Sequence, residues 1–135
     1  MAHRFGRETR SVQIPDDWQG RHDPECATIR ANHDIGALQI SAAFKDSEVT
    51  DVDLRDFAAE HLEVGATPKA VQLGDFVGFV ISFATRDALW RQWFVRNGRQ
   101  ALFVTYNCVP SQRGVEDAAV DEVLATLSAS GENVA

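Results

Sequence analysis

The chain has little cysteine and no long apolar run. Of its 135 residues, two are Cys, four are Pro and one is Met. No apolar run approaches the roughly 20 residues that a membrane-spanning helix needs, and the first seven residues lack the apolar core of a signal peptide. We therefore predict a cytoplasmic protein without a membrane span, in which Cys26 and Cys108 are free thiols.

Basic residues are also scarce, because 13 Lys and Arg stand against 20 Asp and Glu and the net charge is −7. This charge disfavours binding to nucleic acid or to an anionic membrane, since both are negatively charged. It favours solubility or a basic partner. Hydrophobic residues make up 44% of the chain, which is enough for a core, and the length fits a single domain over residues 1–135.

Three consecutive β-strands are predicted in the middle of the chain. Aromatic and β-branched residues dominate three runs there, as is typical of strands: 76–84, 89–95 and 101–106. A helix across the last two runs is disfavoured, because Asn97-Gly98 interrupts it. That pair is typical of a two-residue type I′ turn, in which both residues need positive φ.

The two turns of this meander set its expected register. A turn at Asn97-Gly98 places Arg96 opposite Arg99 and Phe94 opposite Ala101. A turn at Arg86-Asp87 pairs Phe83 with Trp90. Two arginines directly opposite one another repel, so we expect an anionic contact near that end of the hairpin.

Period two then divides the meander into two faces, and both are apolar. One face carries Val77, Phe79, Ile81, Phe83, Trp90, Phe94 and Phe103. The other carries Val80, Leu89, Trp93, Val95, Leu102, Val104, Tyr106 and Cys108. A sheet with one wet face would alternate apolar and polar residues instead. We therefore predict that helices or a partner chain cover both faces.

The flanking segments supply further strands and two helices. Strands are predicted at 7–14, 26–31 and 37–44, with a turn at Trp18 and a loop over 19–25. One helix begins after Thr50, its N-cap, with Val49 and Leu54 as a hydrophobic staple, and ends at Gly65. The other spans 115–129, with Gly131 available to end it. The fold class is α+β: an antiparallel β-sheet of five to seven strands with helices packed on it as a layered sandwich.

This order of elements, together with the strand, Pro and Trp pattern from Val12 to Trp18, resembles the Mog1/PsbP-like α/β/α sandwich group. The group includes the Ran-binding protein Mog1, the photosystem PsbP proteins and uncharacterised bacterial families. The resemblance implies a central antiparallel sheet between helices. It implies no catalytic residues, because the group has diverse functions and shares none.

No catalytic motif is present in the sequence. Residue types that bind metals gather in one stretch: His22, Asp23, Glu25, Cys26, His33 and Asp34. They follow neither an HExxH nor a CxxC pattern, so we interpret them as a polar loop and predict no metal and no cofactor. Cys108 ends an apolar strand and is interpreted as a core residue rather than a nucleophile. The acids near Thr50 suit the start of a helix.

Two functional hypotheses remain. The first is a non-enzymatic protein-binding or assembly domain, an accessory or immunity-type bacterial protein being one form of it. Its partner is another protein or a second copy in a homodimer, bound through an interface of Phe79, Phe83, Trp90 and Phe94. The purely structural interpretation of these four residues is that they form a core covered by a helix.

The alternative is a small-molecule-binding protein or hydrolase-like enzyme. Its pocket would lie between sheet and helix, lined by Arg91, Trp93, Tyr106 and His61. Arg91 lies on an apolar face, so its guanidinium must reach water or a carboxylate.

Overall fold

The computed structural model describes residues 2–24, 26–31 and 35–130. The strands within these ranges are β1 Ala2–Arg7, β2 Arg10–Pro15, β3 Trp18–His22, β4 Ala27–Ala31, β5 Gly36–Phe44, β6 Lys69–Leu73, β7 Phe76–Ala84, β8 Leu89–Asn97 and β9 Gln100–Cys108. The helices are α1 Asp51–Phe57, α2 Ala59–Glu63 and α3 Asp117–Leu124, with a 3-10 turn at Pro110–Gln112. β1 and β2 form a hairpin, and the other strands form a seven-stranded antiparallel sheet in the order β3-β4-β5-β9-β8-β7-β6. The predicted α+β class is confirmed. None of the helices in these ranges is long and apolar enough to cross a membrane.

The first strands differ from the prediction. The single strand expected over 7–14 is a hairpin whose turn lies between Arg7 and Arg10. Trp18 starts β3 instead of lying in a turn, and β3 continues through residues expected to form a loop. β3 is an edge strand with mostly polar residues. Because such a strand buries few side chains, its sequence shows little apolar alternation.

The turn between β8 and β9 lies one residue later than predicted. Asn97 lies opposite Gln100, so Gly98 and Arg99 form the turn, and Gly98 takes a left-handed φ of 57° that glycine adopts without steric cost. The predicted pairing of Arg96 with Arg99 is therefore wrong. Moving the turn by one residue shifts the register by two, so each side chain keeps its predicted face.

The shift changes neighbours within a face. Phe94 lies opposite Phe103, not Ala101 as predicted. Between β7 and β8 the predicted pairing is confirmed, because Phe83 lies opposite Trp90.

Each face of the central strands packs against different elements. On what we call the α3 face, side chains of β8 and β9 pack with the β1–β2 hairpin and with α3; this cluster includes Trp93, Val95, Leu102, Val104, Val12, Ile14, Val120 and Leu124. On the opposite α1–α2 face, a smaller cluster packs under α1 and α2: Phe79, Ile81, Phe94, Ala101, Leu54 and Ala58. The prediction that both faces of the meander are covered is confirmed.

The cover of the α1–α2 face stops at β9. On this face β3, β4 and β5 present mainly polar or small side chains, of which several are exposed: Gln19, Arg21, Arg30 and Gln39. The opposite side chains of the same strands, such as Ile29, Leu38 and Ile40, are buried. Apolar and polar side chains therefore alternate along these strands, as they do in a sheet with one face exposed to solvent.

Both predicted helices are shorter in the structure. The first is divided at Ala58 into α1 and α2. Its predicted start is confirmed: Thr50 and Asp53 form a reciprocal capping box, and Val49 and Leu54 are both buried in the cluster beneath.

The second helix ends at Leu124 because the following residues bond to the hairpin instead. The Ser11 amide donates to the Ser128 carbonyl at 3.0 Å, and the Ser128 amide donates to the Ser11 carbonyl at 2.8 Å. The Gln13 amide donates to the Thr126 hydroxyl at 2.7 Å. These bonds fix the hairpin over the α3 face.

Candidate functional site

A groove lies where the cover of the α1–α2 face stops. It is a depression of about 320 Å³ between the helix pair and strands β8 and β9, lined mainly by Phe57, His61, Gln92, Phe94, Phe103 and Thr105. We call it the aromatic groove. Phe57 is 50% exposed and meets the ring of Phe103 edge-on at 5.0 Å. The sheet forms the floor of the groove and the helix pair forms one wall.

The four predicted interface residues form part of one aromatic surface. Phe79 stacks on Phe94 at 5.4 Å, and Phe83 stacks on Trp90 at 6.3 Å. Phe79 and Phe94 are each 7% exposed, because α1 and α2 cover them. Phe83 and Trp90 are only half-buried. Two of the four are thus core residues of this chain, and the other two still reach solvent.

His61 belongs to the same surface. Its ring stacks on Phe83 at 4.9 Å with an interplanar angle of 22°. Together with Phe57, it extends the aromatic surface from the sheet onto the helix pair.

The helix pair beside the groove is rich in acids. Asp51 accepts a hydrogen bond from Arg96 Nε at 2.9 Å, and Asp53 accepts one from Lys45 Nζ at 2.8 Å. The Lys45 hydrogen bond, followed by that of the Thr50 backbone, lowers the pKa of the Asp53 carboxyl. The expected anionic contact of Arg96 is therefore supplied by α1.

Three further acids on the helix pair remain exposed: Asp56, Glu60 and Glu63. None of them forms an ion pair with any residue that the structure describes. They give the helix pair a surplus of negative charge.

Arg91 lies on the α3 face and is held by α3. Its Nη2 donates to Asp121 at 2.7 Å, its Nη1 lies 3.8 Å from Asp117, and its guanidinium lies 4.6 Å from the ring centre of Trp93. Arg91 was predicted to reach water or a carboxylate, and it reaches two carboxylates. Trp93 is only 2% exposed, so it serves as packing beneath the guanidinium.

Tyr106 is buried beside a carboxylate. Its hydroxyl donates to Glu116 Oε1 at 2.6 Å, and both side chains are buried. Burial and then the Glu116 hydrogen bond raise the pKa of Tyr106 far above its ordinary value, so the phenol stays protonated. Gly36 is required next to it, since a Cβ there would overlap the Tyr106 hydroxyl. Tyr106 therefore acts as a fixed hydrogen-bond donor in the core.

Cys108, at the end of β9, is 7% exposed, as predicted for a core residue. Burial raises the pKa of its thiol, which disfavours the reactive thiolate. Cys26 is also a free thiol, as predicted.

The four residues of the predicted pocket do not meet. Arg91, Trp93 and Tyr106 share the α3 face, whereas His61 lies over the opposite face. The expectation of one shared gap is therefore wrong. Strand parity placed the first three together, but the sequence does not say which face the helix of His61 covers.

A cavity of about 350 Å³ does lie beside Arg91 and Tyr106, where β7 ends and β8 begins. Leu89, Cys108 and Arg113 line it as well, and Trp93 does not.

Part of the metal-type cluster cannot be placed, because Glu25, His33 and Asp34 lie outside the described residues. Among the residues that are described, no three His, Cys, Asp or Glu side chains gather as metal ligands. His22 and Cys26 instead line a separate cavity under the β1–β2 hairpin.

Several residues that line the aromatic groove and the cavity under the β1–β2 hairpin were not predicted from the sequence. They are Phe57, Gln92 and Thr105 of the aromatic groove, and Arg7 and Arg10 of the hairpin cavity. The apolar Phe57 among acids on a helix was a signal for the groove. The two arginines flanking Glu8-Thr9 become neighbours only once that pair is recognised as a turn.

No protein-family model matches the chain, and neither does any curated protein. Solved structures do. A protein from Bacteroides thetaiotaomicron superposes with a TM-score of 0.69 at 20% identity over 96% of this chain, which spans 49% of that protein. PsbP (CyanoP) from Synechocystis gives 0.66 at 12% identity, covering 94% of this chain and 91% of that one. LpqN of Mycobacterium tuberculosis, involved in cell envelope biogenesis, gives 0.62 at 15%, covering 95% and 90%.

These likenesses extend over nearly the whole chain, and the chain has the Mog1/PsbP-like fold, as the resemblance implied. At identities of 20% or less they bear on fold alone.

Proposed function

We propose that the protein is a non-enzymatic binding domain that holds a segment of a partner protein in the aromatic groove. One observation carries the proposal: the helix cover of an apolar sheet face ends there with aromatic side chains still partly exposed. Aromatic anchors in a depression with a polar surround are typical of binding hot spots. A partner side chain entering the groove would bury the exposed half of Phe57.

The chemistry of the groove favours a basic and apolar partner segment. Phe57 and Phe103 offer ring surfaces, and Gln92 and Thr105 offer hydrogen bonds. The helix pair beside the groove carries exposed acids such as Glu60, and the whole chain carries a net charge of −7. Complementary charge accelerates association and rejects acidic competitors. The segment we expect carries Lys or Arg beside an aromatic or aliphatic residue.

The polar groups on the α3 face support a binding role over catalysis. Arg91 is bonded to α3, Tyr106 is a protonated donor to Glu116, and Cys108 is held as a thiol. A nucleophile or general base needs a pKa tuned toward the working pH, whereas the pKa values of Tyr106 and Cys108 are raised away from it.

The proposal is tested by ¹⁵N NMR with a synthetic peptide that alternates Lys with Trp and Leu. We expect saturable shifts of amides at Phe57, Gln92 and Thr105, and much weaker binding of a matched peptide with Glu in place of Lys. Phe57→Ser should weaken binding roughly tenfold, since a hot-spot aromatic contributes more than about 1.4 kcal/mol. Val64→Ser is the matched control, because Val64 is 83% exposed and lies outside the groove.

Shifts elsewhere on the surface, or equal binding of the Glu peptide, would overturn the proposal. Light scattering after size exclusion tests the other occupant, a second copy. Because each copy is acidic, we expect monomers at low salt. A dimer that Phe57→Ser dissociates would instead identify the groove as a homodimer interface.

The second candidate is a small-molecule-binding or hydrolase-like function in the cavity beside Arg91 and Tyr106. Its volume of about 350 Å³ and the exposed Arg113 on its wall favour it. Soaking with a fragment library tests it. Fragments bound between Leu89 and Arg113, with the groove left empty, would favour this function over the first.

A further inference from the structure

A third cavity lies between the β1–β2 hairpin and the sheet, on the α3 face. It has a volume of about 100 Å³. Its floor is aliphatic, formed by the buried side chains of Val12, Ile40 and Leu127. Arg7 and His22 on its wall are exposed. The cavity therefore runs from a charged mouth to an apolar floor.

Two arginines lie at the mouth of the cavity. Arg7 and Arg10 lie directly opposite one another in the hairpin, and both line the cavity. Arg10 Nη1 donates to Thr9 at 3.1 Å, but neither arginine forms an ion pair with a carboxylate among the described residues. Like charges directly opposite one another in a hairpin are unfavourable.

His22 adds a third basic group. Its ring stacks on Phe5 at 4.3 Å. Burial, followed by the charges of Arg7 and Arg10, lowers the pKa of His22, while the Gly6 carbonyl acts in the opposite direction. The pKa of Arg10 is lowered by burial and then by Arg7. In both groups burial is the larger cause, and the positive charge of the neighbouring arginines adds to it.

One acid, Asp23, also lines the cavity, and its Oδ2 accepts from Arg21 at 3.4 Å. In a chain of net charge −7, two neighbouring arginines that form no ion pair within the described residues are a local exception.

From this combination we propose that the cavity binds a short aliphatic carboxylate. The carboxylate lies between Arg7 and Arg10 at the mouth, and the hydrocarbon chain packs on Val12, Ile40 and Leu127. Arginine is well suited to the anion, because its planar fork matches a carboxylate. A cavity of 150 Å³ takes up benzene, so about 100 Å³ accommodates roughly three or four carbons. Butyrate has the matching size.

The proposal is independent of the aromatic groove, because the two cavities lie on opposite faces of the sheet. If the experiments contradict one of the two proposals, the other is unaffected.

The test is a titration of the whole chain with sodium salts of the straight-chain acids from formate to octanoate. We expect affinity to rise about fourfold for each methylene, the value for full burial. The rise should stop near butyrate or pentanoate, where the cavity is full. Butanol and butylammonium are the matched controls without the negative charge, and both should bind far more weakly.

Two charge variants locate the site. Arg7→Gln and Arg10→Gln should each weaken butyrate binding roughly tenfold or more, the cost of one charge-assisted hydrogen bond. Arg99→Gln removes the same charge from the exposed β8–β9 turn and should leave the affinity unchanged. Because Arg7 is exposed, its variant is expected to fold even if that of Arg10 does not.

NMR titration of His22 gives a readout at the site itself. The groups that face this imidazole are Phe5, the Gly6 carbonyl, Arg7, Arg10 and Asp23. Bound butyrate adds a negative charge, so the pKa of His22 should rise on binding in the native chain and in Arg99→Gln.

Equal affinity along the acid series would overturn the proposal, and so would binding that survives Arg7→Gln or leaves the pKa of His22 unchanged.

Discussion

The two faces of the central sheet differ in how far they are covered. The α3 face is covered from β3 to β6 by the hairpin and α3, and its cluster takes in residues from every strand of the sheet. On the α1–α2 face the covering helices extend only over the meander, and their cluster is much smaller. The α3 face of the sheet is thus mainly buried core, whereas the α1–α2 face is about half buried and half exposed. We assign stability chiefly to the first and partner binding to the second.

The largest expected effect separates the two faces directly. Trp93 is 2% exposed on the α3 face, and Trp90, its neighbour in β8, is half-buried on the other. Trp93→Ala should cost about 3–5 kcal/mol of unfolding free energy, and it also removes the ring beneath Arg91. Trp90→Ala should cost about 1–2 kcal/mol, because less surface is buried. Urea unfolding measures both, and equal losses would abolish the proposed division between the faces.

A smaller effect tests the polar part of the α3 face. Tyr106→Phe keeps the ring but removes the hydroxyl that donates to Glu116 at 2.6 Å. We expect a loss of about 1–3 kcal/mol, since a buried carboxylate oxygen loses its donor. Glu116→Gln and the double variant complete a cycle, which should give a coupling energy above the experimental error. Additive losses would mean that the short contact contributes nothing to folding.

The next effect concerns the cover of the α1–α2 face. Thr50→Ala removes the hydroxyl that accepts from the Asp53 amide at 3.2 Å, and should cost about 1 kcal/mol. Thr50→Ser keeps the acceptor and should recover most of that loss. Because α1 forms the wall of the groove, hydrogen exchange should speed up in α1 and remain unchanged in α3. Faster exchange in both helices would show that the two covers are not independent.

The smallest effect is a pH dependence confined to the same cover. The folded-state pKa of Asp53 lies below its ordinary value, chiefly through Lys45. Its contribution to stability is therefore present above the ordinary pKa and is lost as pH falls through the lowered one. Asp53→Asn should flatten this part of the acid unfolding curve. If the acid unfolding curve of Asp53→Asn is as steep as that of the native chain, the acid sensitivity arises from other carboxylates.

Much of the fold was accessible from sequence because the central strands are long and strongly apolar. The faces of β7, β8 and β9 were predicted correctly although the turn at Gly98 was placed one residue too early. That tolerance comes from the strand period, since a two-residue shift of register preserves the face of every side chain. The strand β3 was not predicted, because it is short and mostly polar and so shows little apolar alternation.

The site was less accessible. The need of Arg91 to reach water or a carboxylate followed from its position on an apolar face, but the place of His61 did not. Nor did the cavity beneath the hairpin, which brings Arg10 of β2 close to His22 of β3. Such contacts join segments whose sequences carry no information about their separation in space.

The sequence by itself determined which side chains of the central strands share a face, because alternation along an extended chain is a local property. It also determined where the first helix begins, through the N-cap Thr50 and the hydrophobic staple of Val49 and Leu54. Only the tertiary structure decided which apolar face each helix covers and how much of the sheet stays open. An amphipathic helix specifies its own apolar side, whereas the choice between two apolar sheet faces depends on connections and packing throughout the chain.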